Sequence, residues 1–191
     1  MYDFQTYYED NNTTILCGKI IKLYDIEVPK RNLKHLIITL DTGRRTFPKV
    51  FFSDKMIKSI REKLCEGQVI SVSGCIQHSN LPQKGQVYAV WGTSLEIENP
   101  CDPVLYRNEF YLSGTVHRVE LHSPRKTVAF IRTNCDGHKS LVPVTIFNEI
   151  DRPVHLEPGD RFRGCGVIQT GKKTRGDKDE FYEIYVAKTY I

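Results

Sequence analysis

Leu16-Cys17-Gly18-Lys19-Ile20-Ile21-Lys22 has a counterpart at Leu112-Ser113-Gly114-Thr115-Val116-His117-Arg118, and that return decides the fold. The match continues in order on both sides of the chain. Asp41-Thr42-Gly43, followed by basic residues, returns as Asp136-Gly137-His138-Lys139. Phe47-Pro48-Lys49-Val50-Phe51-Phe52 aligns with Val142-Pro143-Val144-Thr145-Ile146-Phe147. Gly67, Gly74 and Gln77 find partners at Gly159, Gly166 and Gln169, and Val87-Tyr88-Ala89-Val90-Trp91 corresponds to Phe181-Tyr182-Glu183-Ile184-Tyr185. Matches that keep their order at a spacing of about 92 to 96 residues identify two copies of one unit.

Each copy reads as five strands. In the first, Thr14–Tyr24 is a long β-branched run; 35–40 and 46–52 flank the turn Asp41-Thr42-Gly43-Arg44; 68–77 and 86–97 flank a loop at 80–85. Between the third and fourth strands, Met56, Ile57, Ile60 and Leu64 recur at spacings of three and four, which predicts a helix over 53–65 with Ser53 as N-cap and Gly67 past its end. The matching stretch of the second copy, Asn148–Pro158, holds Pro153 and Pro158 and predicts a loop or a single turn. Three strands, a helix and two strands is the order of the OB-fold, a small Greek-key barrel. The expectation is an all-β chain of two tandem OB-fold five-stranded Greek-key barrels. The first spans 14–98 and the second 109–191. The proline-bearing segment 99–108 links them, and an N-terminal arm, 1–13, precedes them.

Composition narrows the function classes. The chain has 191 residues, 40% hydrophobic and 26% charged, as soluble globular proteins do. Its apolar runs reach about five residues, whereas a spanning helix needs about twenty. The acidic, tyrosine-rich start is no signal peptide, so the six cysteines read as reduced thiols in a cytoplasmic protein. Cys135-x-x-His138 is a near pair with metal-ligand spacing, and no second pair accompanies it. No metal or other cofactor is expected. His-Glu-x-x-His, a phosphate-binding glycine-rich loop and Gly-x-Ser-x-Gly are all missing, and Gly164-Cys165-Gly166 stops short of a dinucleotide fingerprint, so no enzyme is expected. Net charge is +4, and a polyanion site must come from local clustering.

The run from Val50-Phe51-Phe52-Ser53-Asp54-Lys55-Met56-Ile57 to Leu64-Cys65-Glu66-Gly67-Gln68-Val69-Ile70-Ser71-Val72-Ser73-Gly74 resembles the bacterial single-stranded DNA-binding protein family, as does the opening Gly18-Lys19-Ile20. The resemblance covers about 14–97, and the second copy joins through its likeness to the first. It implies sequence-tolerant single-stranded DNA binding in replication, recombination or DNA transfer. Two departures stand out: the chain stops in a strand where the family carries an acidic tail, and Thr46 and Leu141 stand where a stacking tryptophan is expected. Both suggest a specialised relative, such as one from a phage, plasmid or conjugative element.

Binding single strands without sequence preference takes a basic groove for phosphates and aromatic faces for bases. Lys30, Arg31 and Lys34 fall between the first and second strands, and Arg44 and Arg45 at the next turn. Arg125 and Lys126, then His138 and Lys139, hold the equivalent places in the second copy, and Lys172, Lys173 and Arg175 lie between its last two strands. Among the aromatics, strand parity decides which side each faces. The resemblance implies that Phe52 and Phe147 end the third strands on the ligand face, leaving Phe47 and Phe51 in the core. The opposite register would expose Phe47, Lys49 and Phe51, and the clean set Val142, Val144 and Ile146 favours the first. Tyr88, Phe130 and Tyr182 are further candidates whose facing parity leaves open.

The expected partner is single-stranded DNA. RNA is not separated from it by stacking and backbone contacts, and a protein-interaction role is the alternative that OB barrels also serve. No membrane is expected. The resemblance implies a homodimer or higher oligomer. Tyr2, Phe4, Tyr7 and Tyr8 add the expectation that the arm packs on its own barrel or on a neighbour.

Overall fold

The computed structural model describes residues 10–28, 33–81, 85–99, 104–135, 137–148, 154–172 and 180–190. Lys30, Arg31, Lys173, Arg175, the aromatics of the N-terminal arm and residues 100–103 of the proline linker lie outside them. The strands are β1 (Asn11–Val28), β2 (Leu33–Asp41), β3 (Lys49–Ser53), β4 (Val69–Leu81), β5 (Gly85–Ile97), β6 (Arg107–Ser123), β7 (Lys126–Cys135), β8 (His138–Phe147), β9 (Arg161–Lys172) and β10 (Glu180–Tyr190). They form one sheet in the order β2-β3-β5-β4-β1-β6-β7-β8-β10-β9. Because β1 also pairs with β2, the first five strands close into a barrel; β6 pairs with β9 and closes the last five in the same way. Within each ring one pairing is parallel, β3 with β5 and β8 with β10.

The repeat is visible in individual hydrogen bonds. The Gly67 amide donates to the Ile20 carbonyl and the Ile20 amide to Gln68, both at 2.8 Å; Gly159 donates to Val116 at 2.8 Å and Val116 to Asp160 at 2.9 Å. Gly67 and Gly159 both take positive φ, 92° and 101°, which only glycine adopts without strain. Gly18 and Gly114 sit where β1 and β6 change neighbours. A Cβ on Gly18 would collide with the carbonyl of Asp41, and one on Gly114 with that of Arg132.

A further repeated device escaped the sequence comparison. The Asn12 side chain donates to the Ile76 carbonyl at 2.7 Å and accepts from the Ile76 amide at 2.9 Å. Asn108 does the same to Ile168, at 2.8 and 3.0 Å. Each amide stands in for a strand neighbour where the ladder would leave buried backbone groups unpaired.

The stretch 53–65 is not one helix. Ser53 ends β3, a single helical turn, α1 (Asp54–Ile57), follows, and a 3-10 turn covers Arg61–Lys63. Its apolar spacing is real: Ile57 and Leu64 are buried, and Met56 and Ile60 pack against the same core. Burial of those four needs only a compact plug, so the periodicity does not require a continuous helix.

The two rings share a wall. Residues 11–17 of β1 pair with 107–113 of β6, antiparallel, from Asn11 against Ser113 to Cys17 against Arg107. The main core follows the inward set of each strand, including Leu16, Ile20, Leu36, Ile38, Val50 and Val90 in the first ring and Leu112, Val116, Ile131 and Phe162 in the second.

Phe52 corrects the expected third-strand facing. It is 0% exposed in that core. Phe51 is also buried, but on the opposite face of β3, with Ile37 and Ala89; Phe47 is 41% exposed. In the second ring the expected set holds, with Val142, Val144 and Ile146 inside and Phe147 58% exposed. Strand pairing explains the difference. Ile38 faces Val50 and Leu36 faces Phe52, while Ala129 faces Val144 and Thr127 faces Ile146. The two third strands therefore superpose with Phe52 on Ile146, one residue away from the sequence alignment. A one-residue slip exchanges the faces. Gly92 provides the room for Phe52, since a Cβ there would collide with its ring.

Candidate nucleic-acid interface

The outer surface of the first ring carries an aromatic patch. Phe51 lies with its centroid 5.8 Å from Trp91, and His35 meets the same indole edge-on at 5.2 Å. Tyr24 and Ile26 pack alongside, and the Lys22 ammonium sits 5.4 Å from the centre of the Tyr24 ring. Burial depresses the His35 pKa, with a hydrogen bond involving the Phe52 backbone acting in the opposite direction. The imidazole is therefore neutral at pH 7 and adds a flat face instead of a charge.

The second ring repeats the pattern with different residues. The Arg118 guanidinium stacks 3.9 Å from the centre of Phe130 and pairs with Glu120 at 3.2 Å. Lys22 and Arg118 are the last residues of the two matching heptapeptides, and each follows a bulge, where the register shifts between Ile20 and Lys22 and between Val116 and Arg118. A bulge re-aims the next side chain, and both times a cation is aimed at an aromatic. Tyr88, on β5 of the first ring, is half-buried. Burial raises its pKa, and the charge of Arg118, on the second ring, acts to lower it. Tyr88 of the first ring is thus within electrostatic reach of the Arg118–Phe130 pair of the second.

The other sequence candidates are distributed around these faces. Lys34 is exposed, but its charge is met by Glu27 at 3.1 Å. Arg44 and Arg45 are exposed on a turn with φ of 52° and 60°, and neither guanidinium pairs with another described residue. Arg125 is exposed in the β6–β7 turn; Lys126 opens β7 directly across the ladder from Phe147. Lys139 is exposed on β8, across from Asn134. His138, Lys172 and Tyr182 stand on β8, β9 and β10, Tyr182 pairing with Thr170, and their side chains lie outside the described set. Phe52, in the core, does not reach any of these faces.

Sequence reasoning passed over Lys22, Tyr24 and Arg118, and also Arg132, whose guanidinium lies 2.8 Å from His117 Nδ1. The signal for Lys22 and Arg118 was present, since both close the repeat that defines the fold. Their role depends on the bulge, which no composition or parity rule displays.

No family model matches the chain, and no curated protein matches it significantly by sequence. Solved structures do match. The wild-type single-stranded DNA-binding protein from Thermus aquaticus superposes with a TM-score of 0.70 at 14% identity, covering 95% of this chain and 93% of that one. The fold is that of a bacterial single-stranded DNA-binding protein. A deletion mutant of the same Thermus protein gives the same score and identity, covering 94% of its own length. The dimeric N-terminal domain of PriB from Thermoanaerobacter tencongensis aligns over 47% of this chain at 19% identity, with a TM-score of 0.40 too low to bear on the fold. Both alignments with the Thermus protein run over nearly the whole of each chain. Among the described residues no helix is long and apolar enough to cross a membrane.

Proposed function

We propose that this protein binds single-stranded DNA without sequence preference, as two tandem OB units over 14–98 and 109–191 joined by 99–108. The observation that carries the reading is the repeated cation-on-aromatic pair, Lys22 with Tyr24 and Arg118 with Phe130, on the outer faces of a fold whose solved counterpart is a single-stranded DNA-binding protein. Lysines and arginines neutralise phosphates, releasing condensed counterions. Bases stack on the half-buried rings of Tyr24 and Phe130 and on exposed Phe147, each worth about 1–3 kcal/mol. No bond is made or broken. Tyr88 and Arg118, from different rings, let one strand pass from the first face to the second.

Of the two third-strand candidates, buried Phe52 drops out and Phe147 remains as the stacking residue, with Lys126 across the ladder as its phosphate partner. Arg44, Arg45, Arg125 and Lys139 border the path. A protein-interaction role without nucleic acid is not favoured, because it gives no reason for the same cation–aromatic pairing in both repeats. A binding assay with labelled oligo-dT, oligo-U and duplex DNA tests the reading. The expected result is tight binding of oligo-dT and at least tenfold weaker binding of duplex. Arg118→Ala is expected to weaken oligo-dT binding, and an unchanged affinity would remove the inter-ring face from the strand's path.

A further inference from the structure

A cavity of about 470 Å³ lies where the β2–β3 turn of the first ring meets β6 and β9 of the second. Its lining shares no residue with the outer aromatic pairs, and its volume lies within the size range of ligand pockets, roughly 300–1,000 Å³. Its walls are held by bonds between the rings. The Phe47 amide donates to Thr170 Oγ1 at 2.9 Å, and Asn108 Nδ2 donates to Thr42 Oγ1 at 3.3 Å. Within the turn, the Thr42 amide donates to the Thr46 carbonyl at 3.1 Å and the Thr46 amide to Gly43 at 3.0 Å. The cavity is thus formed before any ligand arrives.

Its chemistry is asymmetric. On one side Arg44 extends from left-handed backbone, φ 52°, with a guanidinium that meets no other described residue. On another, Arg107 is held by Glu109 at 2.9 Å, and Glu109 also accepts from Tyr111 at 3.1 Å. Arg107 thus offsets the one carboxylate in the wall, and the cavity keeps the net positive charge of Arg44. Tyr106, half-exposed, lays its ring against Gly43, where an added Cβ would stand only 3.3 Å from ring atoms. Gln169, exposed on β9, contributes an amide with both donor and acceptor. One unpaired guanidinium, an aromatic face and a polar amide in a preformed cavity match a phosphate, a base face and a base edge.

We infer that this inter-ring crevice is a binding site for a single nucleoside monophosphate unit, its phosphate on Arg44 and its base against Tyr106. The unit comes either from a free mononucleotide or from a bound strand that turns one residue into the crevice. In the second case the inference rests on the single-strand reading above.

The test is an amide chemical-shift titration of the full chain with dTMP, with inorganic phosphate and with oligo-dT, following Gly43, Thr46 and Gln169. Saturable shifts at these amides with dTMP, at least fivefold tighter than with phosphate, establish a free-nucleotide site. Shifts there with oligo-dT alone establish a strand-borne unit. Arg44→Ala and Tyr106→Leu, the latter keeping the contact with Gly43, are each expected to weaken the response fivefold or more, while Lys58→Ala, exposed and no part of the crevice lining, leaves it unchanged. If oligo-dT binds and these amides stay still with both nucleotide ligands, the inference fails and the single-strand reading stands. If dTMP shifts them while oligo-dT does not bind, the inference stands and that reading fails. Equal responses to phosphate and dTMP also overturn it, since sugar and base would then play no part.

Discussion

Phe52 stands next to last in β3 and Phe147 ends β8, yet one is fully buried and the other 58% exposed. Their substitutions should therefore separate. Phe52→Ala should cost about 3–5 kcal/mol of stability, the usual loss for emptying an aromatic site in a core. Phe147→Ala should leave the urea midpoint in place and weaken oligo-dT binding by about 1–3 kcal/mol. The two asparagine clamps make a second residue-level prediction. Asn12→Ala strands the buried amide and carbonyl of Ile76, and Asn108→Ala those of Ile168. Each should destabilise by about 1–3 kcal/mol in chemical denaturation; a loss confined to one of them would mean the repeat is not energetically equivalent. His35 contributes a pH dependence. Its folded pKa is lowered by burial, so the folded state holds protons less readily than the unfolded chain. Its stabilising share is complete above the unfolded value, about 6.5, and is lost as pH falls below it. The melting temperature of wild type relative to His35→Phe should therefore decline between pH 7 and pH 5, and parallel profiles would show that His35 does not titrate on unfolding.

At the level of elements, the strands were legible because β-branched runs and turn residues bound them clearly. The expected 14–24, 35–40 and 86–97 all fall within β1, β2 and β5. The third strand was placed but not its facing, because Phe47-Pro48-Lys49-Val50-Phe51-Phe52 is apolar on both parities and a single-residue slip in the repeat alignment inverts it. Only the pairing of Leu36 with Phe52 resolves that. The helix was overread for a related reason: four apolar residues at helical spacing also suit one turn followed by a 3-10 turn. The glycines, by contrast, were read as repeat markers before their reason was visible. Gly18 and Gly114 let β1 and β6 change partners under a crossing carbonyl. Gly114→Ala should destabilise by about 1–3 kcal/mol or more through overpacking, while Gly137→Ala, with open space around its Cβ, should lose only the smaller cost of its positive φ, 79°. Equal melting temperatures for these two variants would contradict the close-approach account.

At the scale of the molecule, one continuous ladder between β1 and β6 makes the two rings a shared surface, and the charge of Arg118 in one ring acts on Tyr88 in the other. Much of the candidate interface was legible as loop charge, yet its centre was not. Contacts between residues 22 and 24 or 118 and 130 depend on where a strand bulges, which leaves no motif. The basic loops could be listed from the sequence; the cation–aromatic pairs had to be seen. The central claim is that these faces hold a single strand by phosphate neutralisation and stacking. Its most direct test is the fluorescence anisotropy of labelled oligo-dT titrated with the full chain over a salt series, with unlabelled duplex as competitor. For single strands log affinity should fall linearly with log salt, at a slope of about −0.7 per phosphate contacted, and duplex should compete at least tenfold more weakly. A flat salt dependence, or duplex competing as well as oligo-dT, would contradict the account.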